Sequence, residues 1–381
     1  MKKFLDCISV VGTTPSRFQG TKKYVSTGAV AANEIDESEV VEVTYEERPS
    51  RANLSAEAGD ILFAKMQGTR KTLLLDSETE ENVYSTGFYA IRANPEVITT
   101  ECLYYLVDSE LFLTQKDKHC SGATQKAITN GGLAKIEIRV PPLSEQGILT
   151  EKLRNLTRLI ADKRKQLELF DEVIKSRFIE MFGDPKTNPL KWDMVTIGDI
   201  ATDVRYGTSR PATEDGKYPY LRMNNLTYEG HLDLTDLKYI DIPDSEIEKC
   251  VVRYGDVLFN RTNSVELVGK TCVYNLDYDT IIAGYIIRVR IDDRILPVVL
   301  SNYLNSKVLK EQLRSMAKGA VNQANINAQE LRSIPIYLPP IDLQREFVAF
   351  VEQTDKSKFE IQQSLEKLEI LKKSLMQQYF G

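Results

Sequence analysis

The chain repeats itself at about half its length, so it must fold as two copies of one unit. Gly59-Asp60-Ile61-Leu62-Phe63 returns as Gly255-Asp256-Val257-Leu258-Phe259, and Gly122-Ala123 returns as Gly319-Ala320. Pro141-Pro142-Leu143 returns as Pro339-Pro340-Ile341, and Phe182-Gly183 as Phe380-Gly381. Gly59 and Gly255 stand 196 apart and Gly183 and Gly381 stand 198 apart, so the register drifts by two residues. A repeat this long makes each copy a domain with its own core.

Within each copy, short β-branched and aromatic runs lie between Gly, Asn and Asp turns, and one long helix follows. Residues 61–63, 88–92, 257–259 and 281–291 read as strands, and residues 103–113 and 298–316 as helices. The fold class is α+β. After Pro141-Pro142, the positions Leu149, Leu153, Leu156, Ile160, Lys163, Leu167, Phe170, Ile174, Arg177 and Met181 alternate in steps of four and three. That is a heptad seam. Phe347, Val351, Thr354, Lys358, Ile361, Leu365, Leu368, Lys372, Leu375 and Tyr379 repeat it. For the four basic seam residues two roles are open: fixing register or partner, or snorkelling to solvent. Residues 144–182 would form a rod of roughly 58 Å at ~1.5 Å per residue. Because the second globule starts where the first rod ends, the second helix can bury its seam only by running back. The expectation is two similar mixed α/β globules, 1–143 and 184–341, separated by an antiparallel two-helix coiled coil, 144–183 and 342–381, with pseudo-two-fold symmetry.

The composition, 42% hydrophobic and 27% charged, is that of an ordinary globular protein. No apolar stretch spans a bilayer and no secretory apolar region follows Met1, so a cytoplasmic location is expected. The five cysteines are scattered and read as reduced thiols. The search for catalytic motifs ends empty. Gly269-Lys270-Thr271 resembles the end of a phosphate-binding loop, but Ser264 stands where that loop needs glycine. Pro243-Asp244 has Ile247 where a magnesium-binding nuclease needs a second carboxylate. Pro339-Pro340 lacks the flanking residues of an adenine methyltransferase loop, and His119 and His231 stand far from any ligand cluster.

The order globule, heptad helix, globule, heptad helix is similar to that of specificity subunits of type I restriction-modification systems, and the similarity covers the whole chain. Residues 255–271, GDVLFNRTNSVELVGKT, look like the hallmark of one group of target recognition domains in that family. The Pro-Pro exits with Gln146 and Gln344 just beyond, and the Phe-Gly helix ends, are similar again. The first half departs from the pattern: it lacks the entry of residues 192–200 and reads Ala64-Lys65-Met66-Gln67-Gly68-Thr69-Arg70-Lys71 where the second half continues from Asn260. The resemblance implies a non-catalytic subunit in which each globule reads one half of a split double-stranded DNA site. The helices would set the spacing and dock methylation subunits, expected to be two, which recruit restriction subunits. S-adenosylmethionine, ATP and magnesium would belong to those partners, and this chain would carry no cofactor. Two alternatives stay open: a system that only methylates, and a coiled-coil scaffold without DNA contact.

The formal net charge of -6 does not favour DNA, so basic residues must cluster or partners must supply phosphate contacts. Side chains suited to bases and phosphates follow each Gly-Asp strand: Gln67, Thr69, Arg70 and Lys71 in one half, Asn260, Arg261, Thr262 and Asn263 in the other. A second pair of glycine-led loops carries Thr124, Gln125 and Lys126, and Asn322 and Gln323. Arg17, Ser209 and Arg210 are a third, weaker set. Solvated hairpins explain these loops about as well.

Overall fold

The computed structural model describes residues 1–123, 125–317 and 324–381. It divides into two compact units, Met1–Arg164 with Gln363–Gly381, and Lys165–Gln362. Both have α+β content, and the duplication extends to strand order. In the first unit an antiparallel sheet runs Ile8–Val11, Phe88–Ala93, Ile61–Ala64, Thr72–Leu74. In the second the matching sheet runs Ala201–Tyr206, Ile286–Ile291, Val257–Asn260, Thr271–Val273. Each unit adds a second four-stranded sheet whose central pair is parallel, Lys22–Val25 with Val83–Ser85 and Tyr218–Leu221 with Thr280–Ile282.

The Gly-Asp pairs start the central strands for a physical reason. Gly59 and Gly255 take φ of +86° and +88°, a turn conformation costly for other residues. The Asp60 carboxylate then accepts from Glu57 N at 2.9 Å and Arg92 Nε at 2.6 Å. Asp256 does the same with Arg253 N and Arg290 Nε, each at 2.9 Å.

Three elements differ from the sequence reading. Residues 281–291 are two strands in different sheets, Thr280–Ile282 and Ile286–Ile291, parted by a turn at Gly284. A β-branched run on both sides of one glycine reads as a single strand, and only the Gly284-Tyr285 turn marks where the chain changes sheets. The helix expected over 103–113 is two, Thr100–Val107 and Glu110–Lys118, and that over 298–316 is Pro297–Asn305 and Lys307–Met316. Ser109 and Ser306 break them by capping the second helix of each pair, accepting from Phe112 N at 3.3 Å and Leu309 N at 3.4 Å.

The two long helices are Leu143–Phe182 and Ile341–Phe380, 40 residues each. Neither they nor any other helix among the described residues is long and apolar enough to cross a membrane. Inside each unit they pack antiparallel. In the first, Leu149, Leu153, Met376 and Phe380 share one core with the globule, and Arg164 meets Glu369 at 2.7 Å. In the second, Ile174, Phe178, Phe347 and Val351 share the other core, and Asp171 meets Lys358 at 2.6 Å. Every heptad-seam position is buried or half-buried, including Leu156, Ile160, Leu167, Phe170, Ile361, Leu365, Leu368 and Leu375. Among the basic ones, Lys358 is ion-paired, Arg177 pairs with Glu180 and stacks over Phe350, and burial pulls Lys372 below its ordinary value. At the end of the first helix Gly183 has φ +83°, and a Cβ there would stand 2.7 Å from the Pro189 ring.

Gln146 and Gln344 are wholly buried, and they do the same work. Gln146 accepts from Thr99 N at 2.7 Å and donates to the carbonyls of Val97 and Pro141 at 3.1 and 2.9 Å. Gln344 accepts from Leu296 N at 2.8 Å and donates to Arg294 and Pro339 at 3.0 and 2.8 Å. One amide thus staples the start of each long helix to the loop that feeds the globule's helix pair. Gln344→Ala leaves three backbone groups without this partner, one buried and two partly buried, and urea denaturation should show a loss of about 2–3 kcal/mol in the second unit. Gln146→Ala should do the same to the first.

Candidate nucleic-acid interface

In the first unit the chain leaves the strand Ile61–Ala64 at Lys65. Its N–H donates to Gly87 O at 2.8 Å, its carbonyl accepts from Ile128 N at 2.9 Å, and its Nζ donates to Thr86 O at 2.9 Å. The ammonium lies 4.5 Å from the centre of the Tyr89 ring, and burial pulls it below the ordinary lysine value. Next, Gln67 N donates to Lys126 O at 2.9 Å and Met66 bridges Ala127. The two loops singled out in the sequence therefore form one patch, on which Gln67, Gln125 and Lys126 are exposed. Thr124 lies outside the described residues.

The other first-half candidates are engaged by groups of their own unit, Arg17 and Arg70 while still exposed. Arg70 is held by Asp108 and Glu110, with guanidinium contacts at 3.4 and 3.3 Å, and Lys71 Nζ donates to the carbonyls of Thr27 and Gly28. Thr69 is half-buried, and its carbonyl accepts from Lys116. Arg17 pairs with Glu46 at 2.8 Å.

The second unit builds the same place from different side chains. Arg261 N donates to Tyr285 O and its carbonyl accepts from Ile326 N, both at 2.9 Å. Its Nη1 donates to Gly284 O at 3.3 Å, and its guanidinium carbon lies 4.7 Å from the centre of the Tyr206 ring. Tyr206 and Tyr285 are 41% and 50% exposed beside it. Asn260, expected to face DNA, is instead fully buried: its amide donates to the carbonyls of Thr262 and Tyr285 and so fixes the turn. It ends a strand buried at every position. Thr262 is also buried and bonds Asn325 at 2.8 Å, while Asn263 bonds Asn260 at 3.0 Å. Arg210 is clamped by Glu246 at 2.7 Å, and Ser209 is exposed. Asn322 and Gln323 lie outside the described residues.

Sequence reasoning missed two buried lysines that hold these loops. Lys116 Nζ donates to the carbonyls of Ala64, Met66 and Thr69 at 3.4, 3.0 and 2.8 Å. Its neighbour Asp117 accepts from Gly68 N at 3.0 Å. Lys310 Nζ donates to Gly269 O at 2.6 Å. The signal was spacing: Lys116 follows Phe112 by four and Lys310 precedes Leu313 by three, which puts each lysine on its helix's apolar face. Burial, helped by Lys270 and Arg314, pulls Lys310 down to about 7. A lysine with a lower value folded than unfolded binds fewer protons in the folded state between the two values. Stability should therefore rise with pH from about 7 toward 10.5. The expected slope is at most about 1.4 kcal/mol per pH unit, and it should vanish in Lys310→Met when melting is compared across that range.

A cavity of about 1050 Å³ in the second unit lies along Asp171, Glu172, Glu229, Glu352 and Asp355. Lys175, His231 and Lys307 also line it, but the carboxylates outnumber them, so this cavity does not suit phosphate. Among the described residues no group of three or more His, Cys, Asp and Glu could hold a metal ion.

Comparisons with known proteins bear on the family and the fold. The family model for the type I restriction modification DNA specificity domain matches residues 11–169 and again 189–372. The specificity subunit of the type I restriction enzyme EcoKI from Escherichia coli strain K12 is 26% identical over 77% of this chain and 67% of its own. The MjaX specificity subunit of Methanocaldococcus jannaschii, itself described as putative, is 29% identical over 50% of this chain and 46% of its own. The chain thus spans between about half and two thirds of those relatives' length. A solved chain, from work on complex assembly and conformational transition of the type I R-M system, superposes with a TM-score of 0.56. It shares 24% identity and covers 98% of this chain and 97% of its own, which supports the fold. With the model matched in both halves, the chain belongs to the family of type I restriction-modification DNA specificity subunits.

Proposed function

We propose that this chain is the sequence reader of a DNA-modifying complex. Residues 1–143 and 184–341 serve as target recognition domains, each for one half of a split site. The helices 144–183 and 342–381 space them and dock methylation subunits. The observation that carries this reading is the matched pair of loop clusters around Lys65 and Arg261, built at the same end of equivalent sheets from different side chains. Equal scaffolds with unequal tips are what reading two different half-sequences requires. Leu159, Leu169, Phe359, Ile370 and Leu371 are large apolar side chains exposed on the long helices, which suits partner docking. Methylation, cleavage and their cofactors fall to the partner subunits, and work on genomic DNA sets the site of action in the cytoplasm.

Selection from a random duplex pool by the complex with its methylation subunits tests the reading. It should enrich two short invariant blocks separated by a fixed run of unselected bases. A single continuous block, or none, overturns it.

A further inference from the structure

We propose that Lys65 and Arg261 are equivalent base-reading cations of the two domains, each addressing a guanine edge, with Lys65 rather than Arg70 in that role in the first domain. The inference rests on the DNA-reading function proposed above and names the residues that carry it.

Equivalence comes from four matched contacts. The main-chain N–H of Lys65 meets Gly87 O and that of Arg261 meets Tyr285 O. Their carbonyls accept from Ile128 N and Ile326 N. Their side chains donate to Thr86 O and Gly284 O. Each cation lies over a tyrosine ring, at 4.5 and 4.7 Å. The tyrosines come from different strands, Tyr89 from Phe88–Ala93 and Tyr206 from Ala201–Tyr206, so unrelated side chains support one charge in one place.

Fixation of both side chains favours a base edge over a phosphate, and their remaining donors match the guanine acceptors. Both side chains are half-buried and fixed by a backbone bond and a ring, whereas a flexible, fully hydrated cation suffices for phosphate. One of three ammonium donors of Lys65 is spent on Thr86 O, leaving two for the O6 and N7 acceptors of guanine. Arg261 spends Nη1 on Gly284 O and keeps further donors on its terminal nitrogens. Arg70, by contrast, already faces two carboxylates, Asp108 and Glu110.

The test uses the complex with its methylation subunits and duplexes carrying the selected split motif. Guanines of each half are replaced one at a time by 7-deazaguanine, which lacks the N7 acceptor. In the half read by the first domain, one replacement should weaken wild-type binding roughly 10-fold. Lys65→Met should bind the natural duplex about 10-fold more weakly and be indifferent to that replacement, while Lys65→Arg and Arg70→Met keep the sensitivity. The other half should respond normally in Lys65→Met, which shows that the variant is folded, and Lys65→Gln serves if Lys65→Met does not fold. The proposal is overturned if Lys65→Met retains the 7-deaza penalty at every guanine, or if no guanine in that half matters. If the wild-type complex selects no split motif at all, the proposed function itself fails.

Discussion

Phe347→Ala should cost the second unit about 3–5 kcal/mol, the largest stability loss expected from one side chain in this protein. Phe347 is fully buried where the second long helix begins, and its ring meets Phe178 at 5.5 Å and Phe182 at 5.3 Å, both edge-on. Deleting it empties a site bordered by rings from the other long helix, which is itself tied to the globule through Trp192 Nε1 on Phe182 O. Relaxation cannot fill such a hole, so both the transfer and the cavity contributions are lost. The counterpart in the first unit is Leu149, also buried but aliphatic, and Leu149→Ala should cost less. Urea denaturation of both variants checks the pair. A loss below about 1 kcal/mol for Phe347→Ala would show that the helix start is not part of the second core.

Arg261→Glu should weaken binding to the complete split site roughly 100-fold at physiological salt, with stability changed by less than about 1 kcal/mol. The substitution removes the guanidinium from Tyr206 and Gly284 O and places a carboxylate where the proposed reading would bring the duplex. Loss of a bidentate base contact alone accounts for about 1–3 kcal/mol, and repulsion from phosphate adds to it. Fluorescence anisotropy with duplexes scrambled in one half or the other locates the effect. Scrambling the second domain's half should no longer matter to the variant, whereas scrambling the other half should still abolish binding. Equal loss of sensitivity in both halves would mean that Arg261 supports the whole chain and reads nothing.

The large features of this fold were legible because they rest on period and repetition. The heptad alternation, the Gly-Asp turns and the Phe-Gly ends each reflect a local requirement that one residue type meets best. Details failed where the boundary signal was weak. In residues 280–291 the apolar run Thr280–Ile282 leads into the alternating Ile286–Ile291, and the single glycine at Gly284 is a faint mark of a change of sheet. Ser109 and Ser306 were cap signals overlooked inside apolar helical runs. For the interface, polarity alone was a poor guide, because a polar side chain near a strand end can serve the turn as readily as a ligand. Asn260 was chosen for its amide and spends that amide inward. Lys65 stands opposite Arg261 at the repeat offset of 196, but its lysine is one of several near that strand end, and only the contacts with Thr86 and Tyr89 mark it as the residue held in the same place.

If two domains of one chain each read half of a split DNA sequence for a methylating partner, the methylome of cells expressing this chain with its methylation subunit should record it, with Arg261→Glu run in parallel. N6-methyladenine should be confined to one split motif with the intact chain, and the variant should lose specificity at only one half of it. Absence of any split motif beside a methylation subunit shown to be active would refute the two-reader proposal and leave the chain a coiled-coil scaffold.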